Sequence, residues 1–240
     1  MDGRMHTKLA ALAVIAVLLP FGSVQAADPG LLKPSDFYDP AHFLPPPPAA
    51  GTPRALAELA EVKRYQADAT PEQRAQAAAD DGSENGTIFA AAIGPGWDLT
   101  RLPATAKVLD EVTGSEGPFS DIAKKEFHRD RPWIVDASIQ TCVAHKPSQD
   151  HASYPSGHST VAYGMGEVLA NLMPDHAQAI LARSAQFAEN RLICGFHFRS
   201  DIVAGQQFGT IMALRLMQNP QFAADMDAAR AELRAAHLAT

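Results

Sequence analysis

Three groups of residues carry side chains that could act together on an anion. They are Lys124 with Arg131-Pro132 after six intervening residues, then Pro155-Ser156-Gly157-His158, then Arg191 followed by His197 and Asp201. Phosphoryl transfer needs cations around the equatorial oxygens, a nucleophile in line and an acid for the leaving oxygen. Lys124, Arg131 and Arg191 supply three cations, and each arginine can grip two oxygens at once. The Ser156 hydroxyl and the backbone N–H groups of Gly157 and His158 add donors at a helix start, where the dipole also favours an anion. Two histidines divide the remaining roles. A neutral imidazole attacks phosphorus when a carboxylate holds its other nitrogen, and Asp201 follows His197 closely enough to do so. The three cations should lower the pKa of both histidines, while Asp201 should raise that of His197.

Taken singly, each group has an ordinary explanation. Lys124 and Arg131 fit a solvated face, Ser156 an N-cap with a surface histidine beyond it, and Arg191 a helix-end cap. His197 and Asp201 fit a surface pair. The spacing of Arg191 argues otherwise. It lies four residues after Phe187 and eleven after Ile180, on the apolar face of its helix, and a buried arginine wants an anion.

In order and spacing these residues resemble the signature of the type 2 phosphatidic acid phosphatase superfamily: Lys-x6-Arg-Pro, then Pro-Ser-Gly-His, then Ser-Arg-x5-His-x3-Asp. Asn190 stands where that signature has its serine. Within the superfamily, the chain is similar to the bacterial class A non-specific acid phosphatases in its N-terminal leader, its Phe43-Leu44-Pro45-Pro46-Pro47-Pro48 arm and its Ser153-Tyr154 pair. Ala152 and Ser159 depart from the glycine and threonine usual in that subgroup. The resemblance implies an all-α single domain that hydrolyses small phosphomonoesters without metal or cofactor, with phosphoryl transfer to alcohols as a side activity. His197 would become phosphohistidine, Asp201 would orient it, and His158 would protonate the leaving alcohol. Lys124, Arg131, Ser156, Gly157 and Arg191 would hold the phosphoryl group. Two rival functions share these residues. A vanadate-dependent haloperoxidase would place vanadate where phosphate goes, and a non-enzymatic anion-binding protein would need the cations but not both histidines. Metal-dependent hydrolysis is a weaker rival, because none of the nine histidines shows ligand spacing.

The elements that must position these groups read as helices. Val161, Met165, Val168, Leu169 and Leu172 recur on one helical face directly after Ser156, a good N-cap. Thr70-Pro71-Glu72-Gln73 combines an N-cap, a proline at the first helical position and a capping-box glutamine. Leu56, Leu59, Ala60 and residues 62–65 suggest an amphipathic helix from Pro53. Further helices are expected over residues 88–93, 103–112 and 119–127, the last two separated by the glycines and proline of 114–118. Others are expected over 176–192, 200–217 and 223–236. Residues 80–86 read as a polar turn and residues 132–154 as a long functional loop. No repeat and no strand pattern appears.

Composition bounds the rest. The chain has 240 residues, 46% of them hydrophobic, enough for one sizeable core. Arg4 and Lys8, an apolar run over residues 9–19 and Val24-Gln25-Ala26 predict a signal peptide over 1–26, cleaved after Ala26, and hence export to the periplasm. The run falls well short of the ~20 residues that span a bilayer, so no stable membrane insertion is expected after cleavage. A proline-rich arm over 27–52 should lie extended against the helical domain at 53–240. Loss of Arg4, Lys8 and Asp2 moves the formal charge from −7 to −8, which argues against a nucleic-acid partner. Homo-oligomerisation is left open. Cys142 and Cys194 are the two cysteines; in an oxidising compartment they form either a disulfide or two buried thiols.

Overall fold

A computed structural model describes residues 31–32 and 44–240. The expected leader and most of the proline-rich arm lie outside the described residues. The helices, in chain order, are α1 (Pro53–Asp68), α2 (Pro71–Asp81), α3 (Ala90–Ile93), α4 (Pro103–Phe127), α5 (Pro132–Val135), α6 (Gly157–Leu172), α7 (Ala177–Ile193), α8 (Arg199–Met217) and α9 (Pro220–Ala235). Among the described residues there is no strand, and no helix is long and apolar enough to cross a membrane.

Helix α6 lies at the centre, packed on α7 and α8, with α4 and α9 covering another side and α1 and α2 leaning on α7. Its predicted face, Val161, Met165, Val168, Leu169 and Leu172, is buried. Burying one such side chain stabilises a fold by about 1.5–3 kcal/mol, so this stripe anchors the core. Glycine lets α8 approach α6 closely. A Cβ on Gly205 would stand 2.5 Å from the Ser156 carbonyl oxygen, and one on Gly209 would stand 2.3 Å from that of Thr160. This close crossing allows the Ser156 N–H to donate to the Asp201 carbonyl at 3.0 Å, joining two of the three sequence clusters.

Local signals set most helix starts as expected. Thr70 and Gln73 form the full capping box of α2, and Ser156 caps α6 by accepting from the Ser159 N–H at 3.3 Å. Three expectations need correction. Residues 103–112 and 119–127 are not separate helices but one 25-residue helix, α4, with Pro118 inside it. Pro118 is exposed, so its ring faces solvent, while Val108, Val112, Ser115, Phe119 and Ala123 continue one buried face through the break. Burial of that face outweighs the local helix penalty of glycine and proline. Leu56 is 58% exposed rather than part of the inner face of α1, where Glu58 is buried instead. Residues 88–93 divide between a 3-10 turn, Gly86–Phe89, and the single turn α3, ended by Gly94 at φ 94°.

The 132–154 segment carries α5 and a 3-10 turn at Pro147–Gln149 and is otherwise loop. A disulfide between Cys142 and Cys194 ties this loop to the end of α7. Of the arm, Leu44 is buried and the Pro45 carbonyl accepts the Tyr154 hydroxyl.

Candidate active site

Three helix ends converge. Lys124 stands in the last turn of α4, which stops at His128 in the left-handed conformation, φ 41°. The chain then runs through Arg129 to Arg131, the residue before α5. Ser156 and Gly157 open α6. Arg191 ends α7, and His197 lies in the short connection to Asp201 in the first turn of α8. A Cβ on Gly157 would meet Glu116 Oε1 at 2.9 Å and Lys124 Nζ at 3.4 Å, so glycine lets both side chains reach the start of α6.

His197 is buried between Arg131 and Asp201. Its Nε2 lies 2.8 Å from Arg131 Nη1, and its Nδ1 faces Asp201 Oδ2 at 3.4 Å. A guanidinium has donors only, so Nε2 presents its lone pair and Nδ1 carries the proton. That tautomer turns the unprotonated nitrogen towards the cations. Burial first, then Arg131, Arg191, His158 and Lys124, holds the His197 pKa well below its usual value. The expected upward pull of Asp201 does not prevail. The Asp201 carboxylate is already engaged by Arg129 Nη1 at 2.5 Å, by the Ser153 hydroxyl at 2.7 Å and by the Phe198 N–H at 2.7 Å. Burial pushes the Asp201 carboxyl up, against the pull of Arg129 and these donors.

Arg131 also donates to the Phe196 carbonyl at 2.7 Å and, from Nε, to the Gln149 carbonyl at 3.2 Å. Burial lowers its pKa to about 10, which leaves it cationic at any pH below that. Arg191 is 1% exposed, with its guanidinium 4.6 Å above the Phe196 ring. Its Nη2 donates to Asp81 Oδ1 at 2.6 Å, while Nε and Nη1 are buried without a partner among the described residues. The apolar-face placement expected from its spacing therefore holds, and burial lowers its pKa.

His158 stacks on Phe187 with centroids 5.7 Å apart. Its Nδ1 is 3.0 Å from Glu84 Oε1 and its Nε2 is 3.0 Å from the Asp81 carbonyl. Both partners accept, so both ring nitrogens are placed to donate.

Lys124, Arg131, Ser156, Gly157, His158, Arg191, His197 and Asp201 are thus drawn to one region. Several neighbours were missed in the sequence. Arg129, two residues before Arg131, bridges Asp201 and Glu58. Its alternation with Arg131 around Asp130 was the one available signal. Ser153, noted as part of a motif, holds Asp201. The 80–86 segment is not merely a polar turn, because Asp81 and Glu84 reach Arg191 and His158. Burial works to raise the Glu84 carboxyl, but His158, Arg191 and Lys124 hold it below its usual range. Burial pushes the Glu116 carboxyl up despite Lys124 nearby.

The sequence as a whole resembles those of known proteins. The PAP2 superfamily pattern matches residues 109–224. The chain is 31% identical over 214 residues to an acid phosphatase of Zymomonas mobilis, a match covering 85% of this chain and 80% of that one. It is 30% identical over 210 residues to a non-specific acid phosphatase of Salmonella typhi, covering 84% and 82%. A shorter match, 36% over 99 residues and 41% of each chain, is to a lipid A 1-phosphatase of Rhizobium johnstonii. The chain belongs to the PAP2 superfamily, alongside its acid phosphatases.

Proposed function

We propose that this acid phosphatase hydrolyses phosphomonoesters through a phosphohistidine on His197, without a metal ion, after export to the periplasm. The orientation of His197 carries the reading. Its Nε2 lone pair points to Arg131 and its Nδ1–H to Asp201. Lys124, Arg131 and Arg191, with the Ser156–Gly157 helix start, hold the three non-bridging oxygens. Nε2 forms a bond to phosphorus as the ester P–O bond breaks, and the departing oxygen takes a proton from His158. The positive charge that develops on the His197 ring is balanced by Asp201. A water molecule then attacks phosphorus, giving its proton back to His158, and the P–N bond breaks to restore Nε2. An alcohol in place of that water yields a new ester, the expected transferase side activity. Three cations and a helix start supply the charge that a metal ion would otherwise bring, which supports the metal-free mechanism.

The test is trapping. With labelled 4-nitrophenyl phosphate and a chelator present, an alkaline quench, in which the P–N bond survives, should leave label on His197 and none in His197→Ala. Label on His158, or turnover lost to the chelator and restored by a metal, would overturn the mechanism. For export, the amino terminus of the purified protein should be Ala27; an intact Met1 on active protein would sink that part.

A further inference from the structure

The C-terminal end of α2 is held in place from behind. Asp80 is buried, and Arg183 grips both its oxygens, Nη2 to Oδ1 at 2.6 Å and Nη1 to Oδ2 at 3.1 Å. Asn190 adds a third bond, Nδ2 to Oδ2 at 2.7 Å. Asn190 is the position where the superfamily signature has serine, and its longer amide reaches this carboxylate. With Asp80 pinned, Asp81 is delivered to Arg191 and His158, and Glu84 to His158.

The atom that Asp81 takes on Arg191 matters. In a guanidinium, Nη2 is shared by both two-pronged faces, pairing with Nε along the side and with Nη1 at the tip. Each face uses one of the two Nη2 hydrogens, so a carboxylate on Nη2 takes one of them and obstructs the bidentate approach on that face. Nε and Nη1, buried and without partners among the described residues, remain as donors that Asp81 does not satisfy. Asp81 itself is partly exposed, with 26% of its side chain accessible, so its carboxylate can turn towards water without a large desolvation change.

We propose that Asp81 is an internal competitor for the phosphoryl group, a specificity-determining carboxylate that substrate or product must displace from Arg191 Nη2, with Asn190 and Arg183 setting its strength through Asp80. This rests on the phosphatase reading above. A phosphomonoester dianion brings two charges and three oxygens and outcompetes one carboxylate. A phosphodiester, with one charge and two free oxygens, gains little by the exchange. The device thus favours monoesters over diesters, and it sets product release as well as substrate capture.

The alternative role for Asp81, orienting Arg191 for substrate, predicts effects of the opposite sign. For Asp81→Asn, the KM for 4-nitrophenyl phosphate and the inhibition constant for inorganic phosphate should both fall by about tenfold, the scale of one charge-assisted hydrogen bond. Asn190→Ala, which loosens Asp80 while leaving Arg183 in place, should shift both constants in the same direction by less. Calorimetric titration of the whole protein with inorganic phosphate reads the same exchange without turnover. Constants that are unchanged or raised in Asp81→Asn overturn the proposal. Failure of the unaltered protein to hydrolyse any phosphomonoester would count against the phosphatase reading instead, and the phosphate titration would still decide the role of Asp81.

Discussion

Arg129 Nη1 lies 2.5 Å from Asp201 Oδ1, while Nη2 of the same guanidinium holds Glu58 Oε2 at 2.9 Å. One arginine thereby bridges two buried carboxylates and ties α1 to the start of α8. Its position over the Phe198 ring, 4.4 Å from the centroid, fixes the plane of the fork. Arg129→Met would leave Asp201 buried with only the Ser153 hydroxyl and Phe198 N–H as hydrogen-bond donors, and Glu58 with only Arg54 and the Ser200 hydroxyl, a loss of about 3–5 kcal/mol. Urea unfolding should show that loss, and kcat should fall because Asp201 no longer holds its place behind His197. A loss of stability under about 1 kcal/mol, the scale of an exposed pair, would show that the bridge contributes little.

The depressed pKa of His197 makes a prediction about pH. Burial and the neighbouring cations favour its neutral form, so the unfolded chain binds the proton more readily than the folded one. The corresponding stability is present above the unfolded value of ~6.5 and is lost as pH falls through the lower folded value. His197→Gln should flatten the pH dependence of the urea midpoint below ~6.5. Activity should also persist below that pH, since the nucleophile stays neutral there. An acid limb of kcat/KM centred at ~6.5 and assigned to His197 would contradict the depression.

Reduction of Cys142–Cys194 should weaken both fold and site. The bridge closes a loop with a sequence separation of 52, for which chain entropy allows about 4 kcal/mol at the upper end. Cys194 also stands three residues before His197, and its carbonyl accepts the Cys142 N–H at 3.2 Å. The paired Cys142→Ser, Cys194→Ser protein should unfold at lower urea and turn over more slowly. Equal urea midpoints with and without reductant would remove the bridge from the account.

The two histidines should separate by leaving group. Because 4-nitrophenolate departs without much protonation, His158→Ala should still phosphorylate His197 from 4-nitrophenyl phosphate in a quench experiment. From an alkyl phosphate such as glycerol phosphate it should not. His197→Ala should give no phosphoenzyme from either ester. Equal loss in both variants with the activated ester would reverse or void the division of roles.

Much of this protein is local and therefore legible along the chain. A capping box spans four residues, an amphipathic face repeats within a few turns, and the Lys124–Arg131, Ser156–His158 and Arg191–Asp201 groups each lie within about eleven residues of sequence. Their residue types and spacing pointed to phosphoryl transfer, and the all-α class followed from the helical periodicity. The placement of Arg191 on an inward face was legible for that reason.

What stayed hidden depends on contacts between distant segments. Arg129 meets Glu58 across 71 positions, Arg191 meets Asp81 across 110, and no spacing rule links them. These pairs form because Gly205 and Gly209 let α8 close on α6 and because α2 packs on α7, bringing the carboxylates within reach. The continuity of α4 through Pro118 has the same origin. Glycine and proline argue for a break when only neighbours in sequence are weighed, but the buried face of Val112, Phe119 and Ala123 outweighs them once the helix has a core to lie on. The direction of the His197 pKa was likewise a matter of packing. Proximity in sequence favoured Asp201, whereas burial, and the cations gathered from three other helix ends, decided the sign.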